Sequence, residues 1–165
     1  MKEIFAGALF LLAATSVHAV DSISAEVGSG TRQVDMWRIG AQWQQDSHWL
    51  AERNWHLYWD ATLGTWDSDT GSLVDVGLTP VFRYAQAKYG PYVEGGVGFH
   101  VLSETAISSA IDFSTQFQFG SHVGAGYRFN RYDLSLRLQH LSNAGIKNPN
   151  PGINFLQLRL QYWLD

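Results

Sequence analysis

The stretch HLSNAGIKNPNPG, His140 to Gly152, sets an imidazole and a hydroxyl two residues apart near the end of a 165-residue chain. A histidine that accepts the proton of a serine turns that hydroxyl into a nucleophile for a carbonyl carbon, provided both side chains share a face. On a β-strand a spacing of two does this, because alternate side chains point the same way. The SNAG that follows offers backbone N–H groups in a turn permitted by Gly145, and the Asn143 amide is a further donor. Donors so placed stabilise the oxyanion of an acyl-transfer intermediate. The candidates are Ser142 as nucleophile, His140 as base, and Asn143, Ala144 and Gly145 as oxyanion support.

Period-two alternation recurs along the chain, as a strand with one apolar and one polar face requires. It is clearest in WHLYWDATL, where Trp55, Leu57, Trp59, Ala61 and Leu63 alternate with His56, Tyr58, Asp60 and Thr62. Similar segments are ISAEV, WRIGAQW, VDVGLTPVFRY, VEGGVGFHV, FQFGSHVGAGYRF, DLSLRLQHLS and NFLQLRLQYWL. Pro80 is the discordant residue, since a proline cannot donate to a sheet ladder. The polar faces carry Gly, Asp60, Asp75, Glu94 and several arginines, whereas the other faces are Leu, Val, Trp and Phe. That is the inside-out pattern of a membrane barrel. The expected fold is all-β: an eight-stranded antiparallel transmembrane β-barrel with a polar lumen filled by side chains. Glu94, His100 and His122 are then structural lumen groups, not catalytic ones.

Composition agrees. The chain has 7 Trp, 9 Phe, 7 Tyr, 16 Gly and no Cys, which leaves no disulfide and no thiolate metal site. With 11 basic against 15 acidic residues and no basic cluster, nothing points to nucleic acid. Residues 1–19 have the form of a cleaved signal peptide: Lys2, an apolar run too short to span a membrane, and small residues at Val17 and Ala19. The barrel is assigned to 20–165, with short periplasmic turns such as Asn130–Arg131. The long segments Ser103–Gln116 and Asn143–Ile153 are extracellular loops.

In that frame His140 and Ser142 fall on the lipid face, after Leu134, Leu136 and Leu138, at the extracellular end of the seventh strand. Asn154 heads the lipid face of the eighth strand at the same level, so three polar residues converge on a wall that faces lipid. A polar group there requires a partner or a function.

The motif His140, Leu141, Ser142, Asn143, Ala144, Gly145 resembles that of the outer-membrane lipid A 3-O-deacylases of the PagL type. Weaker similarities lie in PVF, in EGGVG (Glu94 to Gly98) and in GAG (Gly124 to Gly126). The resemblance implies an eight-stranded barrel in the bacterial outer membrane with its active site on the outer wall towards the outer leaflet. It implies hydrolysis of the ester at the 3 position of lipid A, by Ser142 with His140, without metal or other cofactor. The substrate partner would be lipid A or lipopolysaccharide, reached by lateral diffusion in the membrane, with Lys147 near its sugar phosphates. One position departs from the family: where an acidic residue commonly orients the histidine, this chain has Asn154. An amide oxygen holds the ring but does not compensate the imidazolium charge. The alternatives are a non-catalytic structural or adhesion barrel, and a lipid acyltransferase, which would need an apolar lumen for the chain. Lipid-facing and partner-facing walls look alike in sequence, so no oligomeric state follows.

Overall fold

The computed structural model describes residues 19–108 and 111–164, so the signal assignment lies outside the described residues except at Ala19. The strands are β1 (Ser22–Gly30), β2 (Val34–Gln45), β3 (Trp55–Ser68), β4 (Gly71–Tyr84) and β5 (Gly90–Leu102). They continue with the short β6 (Ala106–Ser108) and β7 (Ile111–Asp112), then β8 (Phe117–Phe129), β9 (Tyr132–Ser142) and β10 (Ile153–Trp163). One short helix, α1 (His48–Ala51), lies between β2 and β3.

Eight strands close into one antiparallel barrel in the order β1, β2, β3, β4, β5, β8, β9, β10, with β10 back on β1. Closure leaves no sheet edge, which is what lets strands span a bilayer. The alternation sorts as expected. Ile23, Val27, Ile39, Leu63, Val97, Leu134, Leu136, Leu138, Leu156 and Leu160 are exposed on the outer wall, and Glu26, Arg38, Asp60, Arg137 and Arg159 are buried inside. Pro80 is accommodated within β4. It pairs with Trp59 on β3, whereas the β4–β5 ladder runs to Leu78 opposite Phe99 and resumes at Val81 opposite Gly96 in unchanged register.

The middle of the lumen is an ionic lattice. Arg159 reaches Asp60 at 2.6 Å and Glu26 at 3.0 Å, and Arg137 lies 3.2 Å from both. Arg137 also meets Glu94 at 2.6 Å, and Arg83 joins Glu94 to Asp133 at 2.8 and 2.9 Å. Asp75 bridges Arg38 at 2.6 Å and His100 at 2.9 Å. Charges taken out of water are tolerated only when paired in this way.

Towards the extracellular mouth the lumen is not polar. Val34, Met36, Trp66, Leu73, Leu102, Leu141, Ile153 and Phe155 form an apolar plug with Ile107, Ile111 and Phe113 of the β5–β8 loop. Trp66 packs edge-on against Phe113 and Phe155, with ring centroids 5.8 and 5.1 Å away. The alternation persists here, but the inward residues change character because a folded loop, rather than a charge partner, covers them. The loop holds a small hairpin, β6 with β7. Connection lengths are also less one-sided than expected: β1–β2 and β3–β4 turn tightly on the extracellular side, whereas the β2–β3 connection at the opposite end carries α1.

Candidate active site

β9 and β10 place the polar residues of the outer wall. Their ladder pairs His140 with Asn154 directly, and both side chains are exposed. His140 Nδ1 lies 2.8 Å from Asn154 Oδ1. An amide oxygen only accepts, so Nδ1 carries the proton and Nε2 keeps the lone pair a base needs. Asn154 is itself fixed by the β1–β2 turn: Thr31 N–H donates to Asn154 O at 2.8 Å, and Asn154 N–H donates to Thr31 Oγ1 at 3.3 Å.

Ser142 is the last residue of β9, half-buried, two residues beyond His140 on the same face and opposite Phe119 of β8. Among the described residues no hydrogen bond joins its hydroxyl to the imidazole. Phe99, Phe117 and Phe119 cluster beside it on the outer wall, with centroids 5.1 to 5.8 Å apart. Below it an open groove is lined by Pro80, Phe82, Val97, Val123, Leu138 and Leu156, with His140 and Asn154 at its upper end.

The β9–β10 loop closes over the imidazole. Gly152 has φ +59°, and a Cβ built there would fall 2.8 Å from His140 Cε1 and 3.4 Å from Nε2. Only glycine meets both conditions, the left-handed backbone and the missing side chain.

The three oxyanion candidates separate. Asn143 is fully buried. Its Nδ2 donates to Phe113 O at 3.0 Å and Lys147 O at 2.7 Å, its Oδ1 accepts from Gly145 N–H at 2.9 Å, and its N–H donates to Asn150 Oδ1 at 3.1 Å. The Asn143 and Gly145 donors expected at an oxyanion are thus occupied inside the loop. Ala144, exposed with φ 55°, has an N–H with no acceptor among the described residues. Ser114 Oγ donates to Pro149 O at 2.7 Å, a second tie between the β5–β8 and β9–β10 loops.

Sequence reasoning did not single out Gly152, Asn150, Phe113 or Thr31. The KNPNPG run signals a constrained turn, but only the fold shows what the turn is pressed against.

The profile of the lipid A 3-O-deacylase (PagL) family matches residues 35–163. The chain belongs to that family. It is accordingly a barrel of the outer membrane and an enzyme of the lipid A 3-O-deacylase class. Among PagL proteins it is 32% identical to "Lipid A deacylase PagL" of Pseudomonas aeruginosa over 159 residues, covering 90% of this chain and 91% of the relative. Against "Lipid A deacylase PagL" of Bordetella bronchiseptica the identity is 37% over 93 residues, 56% of this chain and 51% of the relative. The crystal structure of the outer membrane enzyme PagL superposes with a TM-score of 0.77 at 29% identity, covering 86% of this chain and 98% of that one.

Proposed function

We propose that this PagL-family barrel removes the 3-linked acyl chain of lipid A by serine ester hydrolysis on its lipid-facing wall. Ser142 Oγ attacks the ester carbonyl carbon while His140 Nε2 takes its proton. The Ala144 N–H stabilises the oxyanion. Collapse of the tetrahedral intermediate breaks the bond to the sugar 3-oxygen, which receives the proton from His140. A water deprotonated by His140 then attacks the acyl-serine and releases the free fatty acid.

The single observation that supports this best is the His140–Asn154 pair, an oriented base exposed on a largely apolar wall. The membrane delivers the ester laterally, so no enclosed pocket is needed. The contact between Ser142 and His140 forms as substrate engages, as is common for catalytic hydrogen bonds that are absent or long in free enzymes. Asn154 is a positioning residue: it fixes the tautomer and ring direction without offsetting the positive charge that develops.

A lipid-like fluorophosphonate, offered to the detergent-solubilised protein, tests the nucleophile. The expected result is one covalent adduct on Ser142, strongly slowed in His140→Ala. An adduct on any other residue, or equal labelling of Ser142→Ala, contradicts the assignment.

A further inference from the structure

Ser121 of β8 stands beside the base. It is the ladder partner of His140 on one side and of Val97 on the other, exposed on the outer wall. Along β8 its neighbours on that face are Phe119 and Val123, and it lines the groove that begins at His140. Its hydroxyl makes no hydrogen bond among the described residues. A hydroxyl facing hydrocarbon without a partner is unfavourable, so the partner must come from what lies against the wall.

We infer that Ser121 is a specificity-determining residue, and that its hydroxyl bonds a hydroxyl on the third carbon of the acyl chain being removed, selecting 3-hydroxyacyl over unsubstituted acyl esters. The inference rests on the deacylase reading and on distance. Ser121 lies one strand across and two residues down from Ser142, which sets their Cα atoms about 8 Å apart. An ester carbonyl poised for attack sits about 3 Å from Ser142 Oγ. Ordinary bond lengths put a hydroxyl on carbon 3 about 3.5 Å beyond, and a hydrogen bond adds about 2.8 Å. Together these steps cover the separation, with the rest of the chain running down past Val97, Val123 and Leu138.

The chemistry has a direction. A 3-hydroxyl satisfied by Ser121 loses nothing on entering the groove, whereas an unsubstituted chain leaves the serine hydroxyl unpaired.

The experiment compares two synthetic lipid A esters that differ only in having a 3-hydroxyacyl or an unsubstituted acyl chain at the 3 position. Each is presented in mixed micelles to the folded protein, and kcat/KM is read from released fatty acid. The native barrel should favour the hydroxyacyl ester about tenfold. Ser121→Ala should bring that ratio close to one, and Ser121→Thr, which keeps a hydroxyl, should retain most of it. A native ratio near one, or a ratio undiminished in Ser121→Ala, overturns the role of Ser121 and leaves the deacylase reading standing. A native protein that hydrolyses neither ester overturns the deacylase reading and this inference with it.

Discussion

His140 and Asn154 face each other across the β9–β10 ladder, with Nδ1 2.8 Å from Oδ1, on the side of the barrel that meets lipid. Because Asn154 is uncharged, the pair separates two contributions that a carboxylate combines: orienting the imidazole and compensating its charge. Asn154→Ala removes the orientation and should lower kcat about 10- to 100-fold, in the range seen when a partner that orients a histidine is lost. Asn154→Glu adds the charge and should raise kcat about tenfold, since a neighbouring carboxylate favours the protonated imidazole. Fatty-acid release by the purified variants decides it; unchanged turnover in Asn154→Glu shows that charge is not limiting.

Gly152 is expected to be as intolerant as the candidate catalytic residues themselves. Alanine there would need a left-handed backbone and a Cβ 2.8 Å from His140 Cε1. Moving the ring by about 1 Å is enough to cost about 10²-fold in rate. Gly152→Ala should therefore lose that much kcat while migrating as a folded barrel on unheated electrophoresis. Activity close to native would mean that the loop yields and the imidazole stays in place.

Asn143 is predicted to act through the loop and not through the oxyanion. Its side chain ties Phe113 O and Lys147 O to Gly145 N–H, so removing it leaves the buried Phe113 carbonyl without its Asn143 donor, at about 1 to 3 kcal/mol, and frees the more exposed Lys147 end of the loop. Asn143→Ala should reduce kcat about 10²-fold, the loss typical of a displaced oxyanion donor. It should also expose the 143–152 loop to proteolysis. A comparable loss of rate with a protease-resistant loop would instead assign Asn143 a direct part in the chemistry.

The lumen lattice should govern stability but not turnover. Glu94 is 5% exposed and joins Arg83 to Arg137. Glu94→Ala takes one carboxylate from two buried guanidinium groups, leaving Arg83 with Asp133 and Arg137 with Glu26 and Asp60, and should destabilise the barrel by about 3 kcal/mol in urea unfolding from lipid vesicles. At temperatures where the variant is folded, kcat should stay near native. A loss of kcat larger than the loss of folded protein would show that the lattice reaches the active site.

The barrel was legible because each wall meets one medium. Lipid outside and ion pairs inside force a period of two through every strand, and that period set His140, Ser142 and Asn154 on one face before any coordinates. Their common level followed from two consecutive antiparallel strands meeting at the same rim of the barrel. The extracellular mouth was less legible, because inward residues such as Trp66 and Phe155 pack against a loop whose contacts leave no periodic trace. The same reason hid the work of Asn143: its partner Phe113 lies thirty positions away. Gly152 was not singled out, because its pressure on His140 depends on the path of the loop, which spacing does not encode.

The most direct test of the central claim is mass spectrometry of lipid A from Gram-negative cells expressing the native protein or Ser142→Ala, with outer-membrane insertion verified for both. Loss of one acyl chain from the 3 position with the native protein, and intact lipid A with Ser142→Ala, is the predicted result. Deacylation that persists in Ser142→Ala, or intact lipid A with a correctly inserted native barrel, would contradict it.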